Sequence, residues 1–192
     1  MRDITNKLFC KNLQQRKICA KLTIQRINSN GKTSNHTKEN VAQDSKLYLR
    51  ICAEKGNNEK ALVVGLNDYP ECELKCCSND ANSVSDLLEA NGDGSPNFDV
   101  KKIIDKCTKP EFQTAVNKLF SDDADVALLY FSGHGAEKDG GYLVTTDFAP
   151  DALGMKMEDV LTLANSSHCK NKVIILDCCF AARMGESILE KK

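Results

Sequence analysis

Val126-Ala127-Leu128-Leu129-Tyr130-Phe131-Ser132-Gly133-His134-Gly135 decides how this chain is read. An apolar run of this kind suits a strand buried on both faces. It stops at a histidine between two glycines, which let a backbone turn sharply and approach another group closely. A second run, Val173-Ile174-Ile175-Leu176, stops in Asp177-Cys178-Cys179. In a parallel sheet covered by helices, ligands bind beyond the carboxyl ends of the strands. An imidazole at one strand end and a thiol at another would suit a nucleophile and its base.

The flanking sequence supplies the sheet. Ala61 to Leu66 is short, apolar and branched, and a turn-rich loop, Asn67-Asp68-Tyr69-Pro70, follows it. Ser78-Asn79-Asp80 offers capping side chains for a helix with apolar positions Ala81, Val84, Leu87 and Leu88, stopped at Asn91-Gly92. Phe98 to Ile104 reads as a second strand. Thr108-Lys109-Pro110-Glu111 has the form of a capping box, ahead of a helical face of Phe112, Ala115, Val116 and Leu119. Gly140 to Thr145 suggests a turn and short strand, and Met157, Val160, Leu161 and Ala164 another helical stripe. Strand and helix alternate, which predicts an α/β body with a mainly parallel sheet flanked by helices.

The bulk numbers agree with a globular protein. At 192 residues, 41% hydrophobic and 28% charged, the chain suits one medium domain with a small appendage. No apolar run reaches bilayer length, so no membrane contact is expected. Met1 to Lys7 carries charges with no apolar core behind them, unlike a secretory signal. Ten cysteines without such a signal read as reduced thiols, and a cytoplasmic location is expected.

Residues 1–59 hold 12 Lys+Arg against 5 Asp+Glu (+7), and residues 60–192 hold 14 against 22 (−8). The basic residues are scattered singly with no aromatics among them. A solvated surface is therefore expected rather than a nucleic-acid arm. Within this basic extension, Lys17 to Ile27 and Lys46 to Lys55 alternate as half-buried strands do, and Asn28 to Ser45 is polar. A hairpin with a long polar loop is the expectation, followed by a catalytic-type domain over residues 60–192.

A thiol attacks a carbonyl as thiolate and needs a partner for its proton. An imidazole, with an ordinary pKa of about 6.5, can take that proton and return it to a leaving amine. A tetrahedral oxyanion needs donors, which backbone N–H groups beside a glycine can provide. Cys179, His134 and the amide of Gly135 could fill these roles. Singly, each has a plainer explanation: a cysteine after an apolar strand is usually core, and a lone histidine is often a hydrogen-bonded surface group. Two such strand ends in one sheet favour function. Cys72-x-x-x-Cys76-Cys77 lacks zinc-site spacing, His168-Cys169 is isolated, and Asp122, Asp123 and Asp125 read as a solvated loop, so no metal site is expected.

Tyr130-Phe131-Ser132-Gly133-His134-Gly135 resembles the catalytic-histidine motif of caspase-fold cysteine peptidases, especially metacaspases and bacterial caspase-like proteins. Leu176-Asp177-Cys178-Cys179 resembles their D-x-C motif. Lys60 to Asn67 is similar to their first strand, and Leu74-Lys75-Cys76-Cys77-Ser78-Asn79-Asp80 to the L-x-G-C-x-N-D start of their first helix. The resemblance implies a three-layer caspase-like fold, Cys179 as nucleophile, His134 as acid/base and the Gly135 N–H as oxyanion donor. It implies peptide substrates cut after Arg or Lys. Asp177 stands where caspases cleaving after aspartate carry Gln, and Cys77 would line the same pocket.

The motifs depart from the family at Phe180-Ala181-Ala182-Arg183, where metacaspases often have His-Ser-Gly, and at Cys76, where glycine is usual. No cofactor is expected from the residues. Metacaspases are often calcium-dependent, which the resemblance leaves open without pointing to any residue here. The family fold continues with two further strands after the nucleophile, so the chain reads as the large-subunit portion, cut short at its carboxyl terminus. The exposed edge of the Val173 strand would then need covering by a partner chain, a second copy or the basic extension. The alternative reading is a non-catalytic caspase-fold fragment acting as an interaction or regulatory module.

Overall fold

The computed structural model describes residues 58–138, 140–179 and 181, together with the backbone of Lys21–Ile27 and Thr33–Thr37. In chain order the elements are β1 (Lys21–Ile27), β2 (Thr33–Thr37), β3 (Glu59–Gly65), α1 (Cys77–Glu89), β4 (Asp99–Ile104), α2 (Lys109–Ser121), β5 (Val126–Ser132), β6 (Gly135–Glu137), β7 (Gly141–Ala149), β8 (Ala152–Lys156), α3 (Met157–Ser166) and β9 (Asn171–Cys178).

The main sheet has the order β2-β1-β9-β5-β3-β4. Strands β4, β3, β5 and β9 run parallel, which aligns their carboxyl ends along one edge. Residues 61–64 of β3 and all of β5 are buried, as their unbroken apolar runs require. Alternate residues serve two cores. Leu62, Val64, Leu129, Phe131, Ile174 and Leu176 pack with α2 and α3, where the Phe112 and Phe131 rings lie 5.6 Å apart. Ala61, Val63, Leu128, Tyr130 and Val173 pack with α1 on the other side. The result is three layers, helix–sheet–helix, with a small antiparallel sheet β6-β7-β8 beside it.

The capping box predicted at Thr108 is present, with Thr108 Oγ1 accepting from the Glu111 N–H and Glu111 accepting from the Thr108 N–H. The start of α1 differs from expectation. Its N-cap is Cys76, which makes no side-chain cap; the Asn67 side chain instead accepts the Cys77 N–H at 3.1 Å. Ser78 Oγ turns inward to the Gly65 carbonyl and Asp105, so tertiary partners outcompete the local cap. Leu87, read as part of the apolar stripe, is 63% exposed.

The edge of β9 is taken by the chain itself. β1 pairs antiparallel with β9 from Lys21↔Cys178 to Ile27↔Lys172. The partner of β1 within the extension is β2, which lies inside the stretch expected to be loop. Strand pairing is carried by backbone groups, so a polar segment such as Thr33–Thr37 can form an outer strand that apolar alternation does not reveal. The strand expected over Lys46 to Lys55 lies outside the described residues. Among the described residues, no helix is long and apolar enough to cross a membrane.

Candidate active site

β5 and β9 pair through Ser132↔Asp177, so His134 and Cys179 each stand two residues beyond that rung, at the carboxyl edge. The Gly133 N–H reaches the Asp177 carbonyl at 3.5 Å. A Cβ on Gly135 would lie 2.9 Å from the Cys179 carbonyl carbon, 3.2 Å from its nitrogen and closer still to its oxygen. The glycine after the histidine therefore lets the backbone of Cys179 rest directly against it. A Cβ on Gly133 would lie 2.5 Å from the Tyr69 hydroxyl. Both glycines that flank His134 are required by close approach.

His134 is buried, with 6% of its surface exposed. Its Nε2 lies 2.8 Å from the Cys72 carbonyl oxygen. A carbonyl only accepts, so Nε2 carries the hydrogen and Nδ1 is the acceptor nitrogen. The Tyr69 hydroxyl accepts the His134 backbone N–H at 3.1 Å and donates to the Val144 carbonyl at 3.0 Å. The Tyr69 ring meets the imidazole edge-on, with centroids 4.6 Å apart. Burial holds the His134 pKa below its ordinary value, with the Cys72 carbonyl partly offsetting. A neutral imidazole is the form that can accept a proton.

The two cysteines after β9 sit differently. Cys178 is 4% exposed within the core, and burial pushes its thiol pKa far up. Cys179 is half-buried in the turn beyond it. A thiol held protonated in the core is a poor nucleophile.

Asp177 belongs to a polar cluster on the α1 side. Burial first, and then the Asp80 carboxylate, raise its pKa; hydrogen bonds from the Tyr130 and Ser132 hydroxyls act the other way. Cys77, at the start of α1, has its thiol raised by burial and by Asp177 and Asp80, while a hydrogen bond with Ser132 opposes this. The half-buried Asp177 carboxylate thus lies near the exposed one of Asp80. Asp80 and Ser132 join the expected Asp177 and Cys77. Asp80 was legible, one helical turn after Cys77, whereas Ser132 joins only through the sheet register that pairs it with Asp177. The Cys72 carbonyl and Tyr69 hydroxyl were not legible, since neither is marked by any motif. Asp122 and Asp125, at the opposite end of β5, pair with Lys60 and Lys170.

A mainly parallel sheet between helices thus brings the ends of β5 and β9, with His134 and Cys179, to one carboxyl edge of an α/β fold. The chain belongs to the caspase domain family, whose family model matches residues 58–192. It is therefore a caspase-like cysteine peptidase by family, a class that acts on proteins or peptides. Comparison with curated proteins and with solved structures finds no match.

Proposed function

We propose that this chain is a metacaspase-type endopeptidase that cleaves after Arg or Lys through Cys179 and His134. The observation that supports the proposal most is the close approach of the Cys179 backbone to Gly135, next to His134. The Cys72 carbonyl anchors Nε2–H, so Nδ1 takes the Cys179 thiol proton. The thiolate attacks the scissile carbonyl, and the Gly135 N–H donates to the oxyanion that forms. The imidazolium then passes its proton to the departing amine, leaving a thioester. Water, deprotonated by Nδ1, hydrolyses that thioester and regenerates the thiol.

Asp177 and Asp80, with Ser132 and Cys77, receive the side chain of the residue before the cleaved bond. The half-buried Asp177 carboxylate and the exposed one of Asp80 repel one another, and a guanidinium or ammonium relieves that repulsion while pairing with both. The seven described cysteines are thiols rather than disulfides, which suits a reducing compartment such as the cytoplasm.

The test is covalent labelling by an arginyl acyloxymethyl ketone, with and without calcium, in wild type and Cys179→Ala. Labelling of wild type alone is expected. No labelling in either condition, or cleavage of peptides with Asp before the scissile bond and not of those with Arg, would sink the proposal.

A further inference from the structure

We infer that Tyr69 is a positioning residue for His134, bridging the histidine's backbone into the β7 strand and so fixing the ring that serves as base. This rests on reading His134 as the base. The pair His134–Val144 has one direct bond, from the Val144 N–H to the His134 carbonyl at 3.0 Å. The reciprocal bond of an antiparallel pair is absent as a direct contact. In its place the Tyr69 hydroxyl stands between the two groups, accepting from the His134 N–H and donating to the Val144 carbonyl. A side-chain oxygen inserted into the ladder holds the two backbones apart at the histidine, which aims its side chain differently from a regular strand residue.

The same turn grips the ring. The Cys72 N–H donates to the Tyr69 carbonyl at 3.3 Å, and the Cys72 carbonyl in turn accepts from Nε2. One turn of the β3–α1 loop therefore holds both the amide and the far nitrogen of His134. Tyr69 is 1% exposed, and Gly133 makes room for its hydroxyl. A buried phenol remains a neutral donor and acceptor, which is what the bridge uses.

Removing the hydroxyl leaves two buried backbone groups to close on each other or go unpaired. Either outcome moves the His134 peptide relative to Cys72. Tyr69→Phe should lower kcat by about tenfold or more with KM within about twofold, since the loss lies in geometry at the reacting atoms. Imidazole nitrogen NMR should show His134 as the Nε2–H tautomer in wild type and a mixture in Tyr69→Phe. A second variant guards against a folding artefact. Gly133→Ala meets the hydroxyl, so it should cost less in the Tyr69→Phe background than in wild type. An unchanged tautomer with kcat per folded molecule within about twofold of wild type, or an equal Gly133→Ala cost in both backgrounds, overturns the assignment. If wild type fails to cleave arginyl peptides at all, the peptidase reading falls, and the tautomer and the folding cycle still decide the role of Tyr69.

Discussion

Replacing Gly135 by alanine adds a single methyl group where the two strand ends meet. That methyl would lie 2.9 Å from the Cys179 carbonyl carbon and closer still to its oxygen, and real Cβ atoms do not approach within 3.0 Å. The obstacle is backbone on both sides, so no side-chain rotation relieves it. The segments must separate by on the order of 1 Å, a displacement that costs about 10²-fold in rate. That corresponds to about 2.7 kcal/mol of transition-state stabilisation. Overpacking of this kind costs about 1–3 kcal/mol of stability, less than the about 5–15 kcal/mol a domain holds. The variant should therefore fold. Alanine keeps its N–H, so the expected loss reports placement rather than removal of a donor. The assay is kcat/KM on a fluorogenic arginyl peptide beside urea unfolding, with Gly92→Ala as control because nothing lies within 4 Å of its added Cβ. A folded Gly135→Ala enzyme with kcat/KM within about twofold of wild type would refute the seating of Cys179 on this glycine as the basis of activity.

Other predictions address the pocket, the helices and the sheet edge. Asp177→Asn should lower kcat/KM for arginyl peptides by about 10²-fold or more, as expected for loss of one partner of a buried charge pair. On the proposed reading Asp177 holds a cation only when ionised, and its pKa is raised, so wild-type activity should fall as pH drops through a value above the ordinary one for aspartate; Asp177→Asn should lack that limb. The same raised pKa means the folded state binds this proton more tightly than the unfolded chain does. Stability thus declines as pH rises through the folded value, and Asp177→Asn should melt higher than wild type at pH 7 while cleaving less. Thr108→Ala removes the capping box of α2 and should cost about 1 kcal/mol, a fall of about 3 °C in Tm, with kcat unchanged. Deleting residues 1–37 removes the strand paired to β9 and should produce concentration-dependent self-association in gel filtration, where a monomer with an unaltered melting curve would contradict the pairing.

Much of the body was legible because its signals are local. The run Val126 to Ser132 and its glycine–histidine end declared a buried strand, and Thr108 with Glu111 declared a helix start through a spacing of three. β8 and the length of β7 escaped notice, since Gly141–Ala149 and Ala152–Lys156 pair across an irregular register that no simple alternation reports. The α1 cap was misread for a related reason. Ser78 is a good local cap, yet Gly65 and Asp105 compete for its hydroxyl through the fold.

The order of residues is enough to specify the chemistry available: a histidine between glycines after one apolar strand, and a cysteine after another with a carboxylate two residues before it. Side-chain type and short-range periodicity carry that information. The arrangement of these groups comes from long-range pairing in the folded chain. The pairing of Ser132 with Asp177 brings residues 45 apart in the chain onto one rung. The Cys72 carbonyl selects the Nε2–H tautomer of His134 across 62 residues, and the Tyr69 hydroxyl holds its backbone across 65. A main-chain carbonyl is identical at every residue, and a buried hydroxyl finds its partner only once the chain has folded, so neither contact leaves a mark in the order of the amino acids.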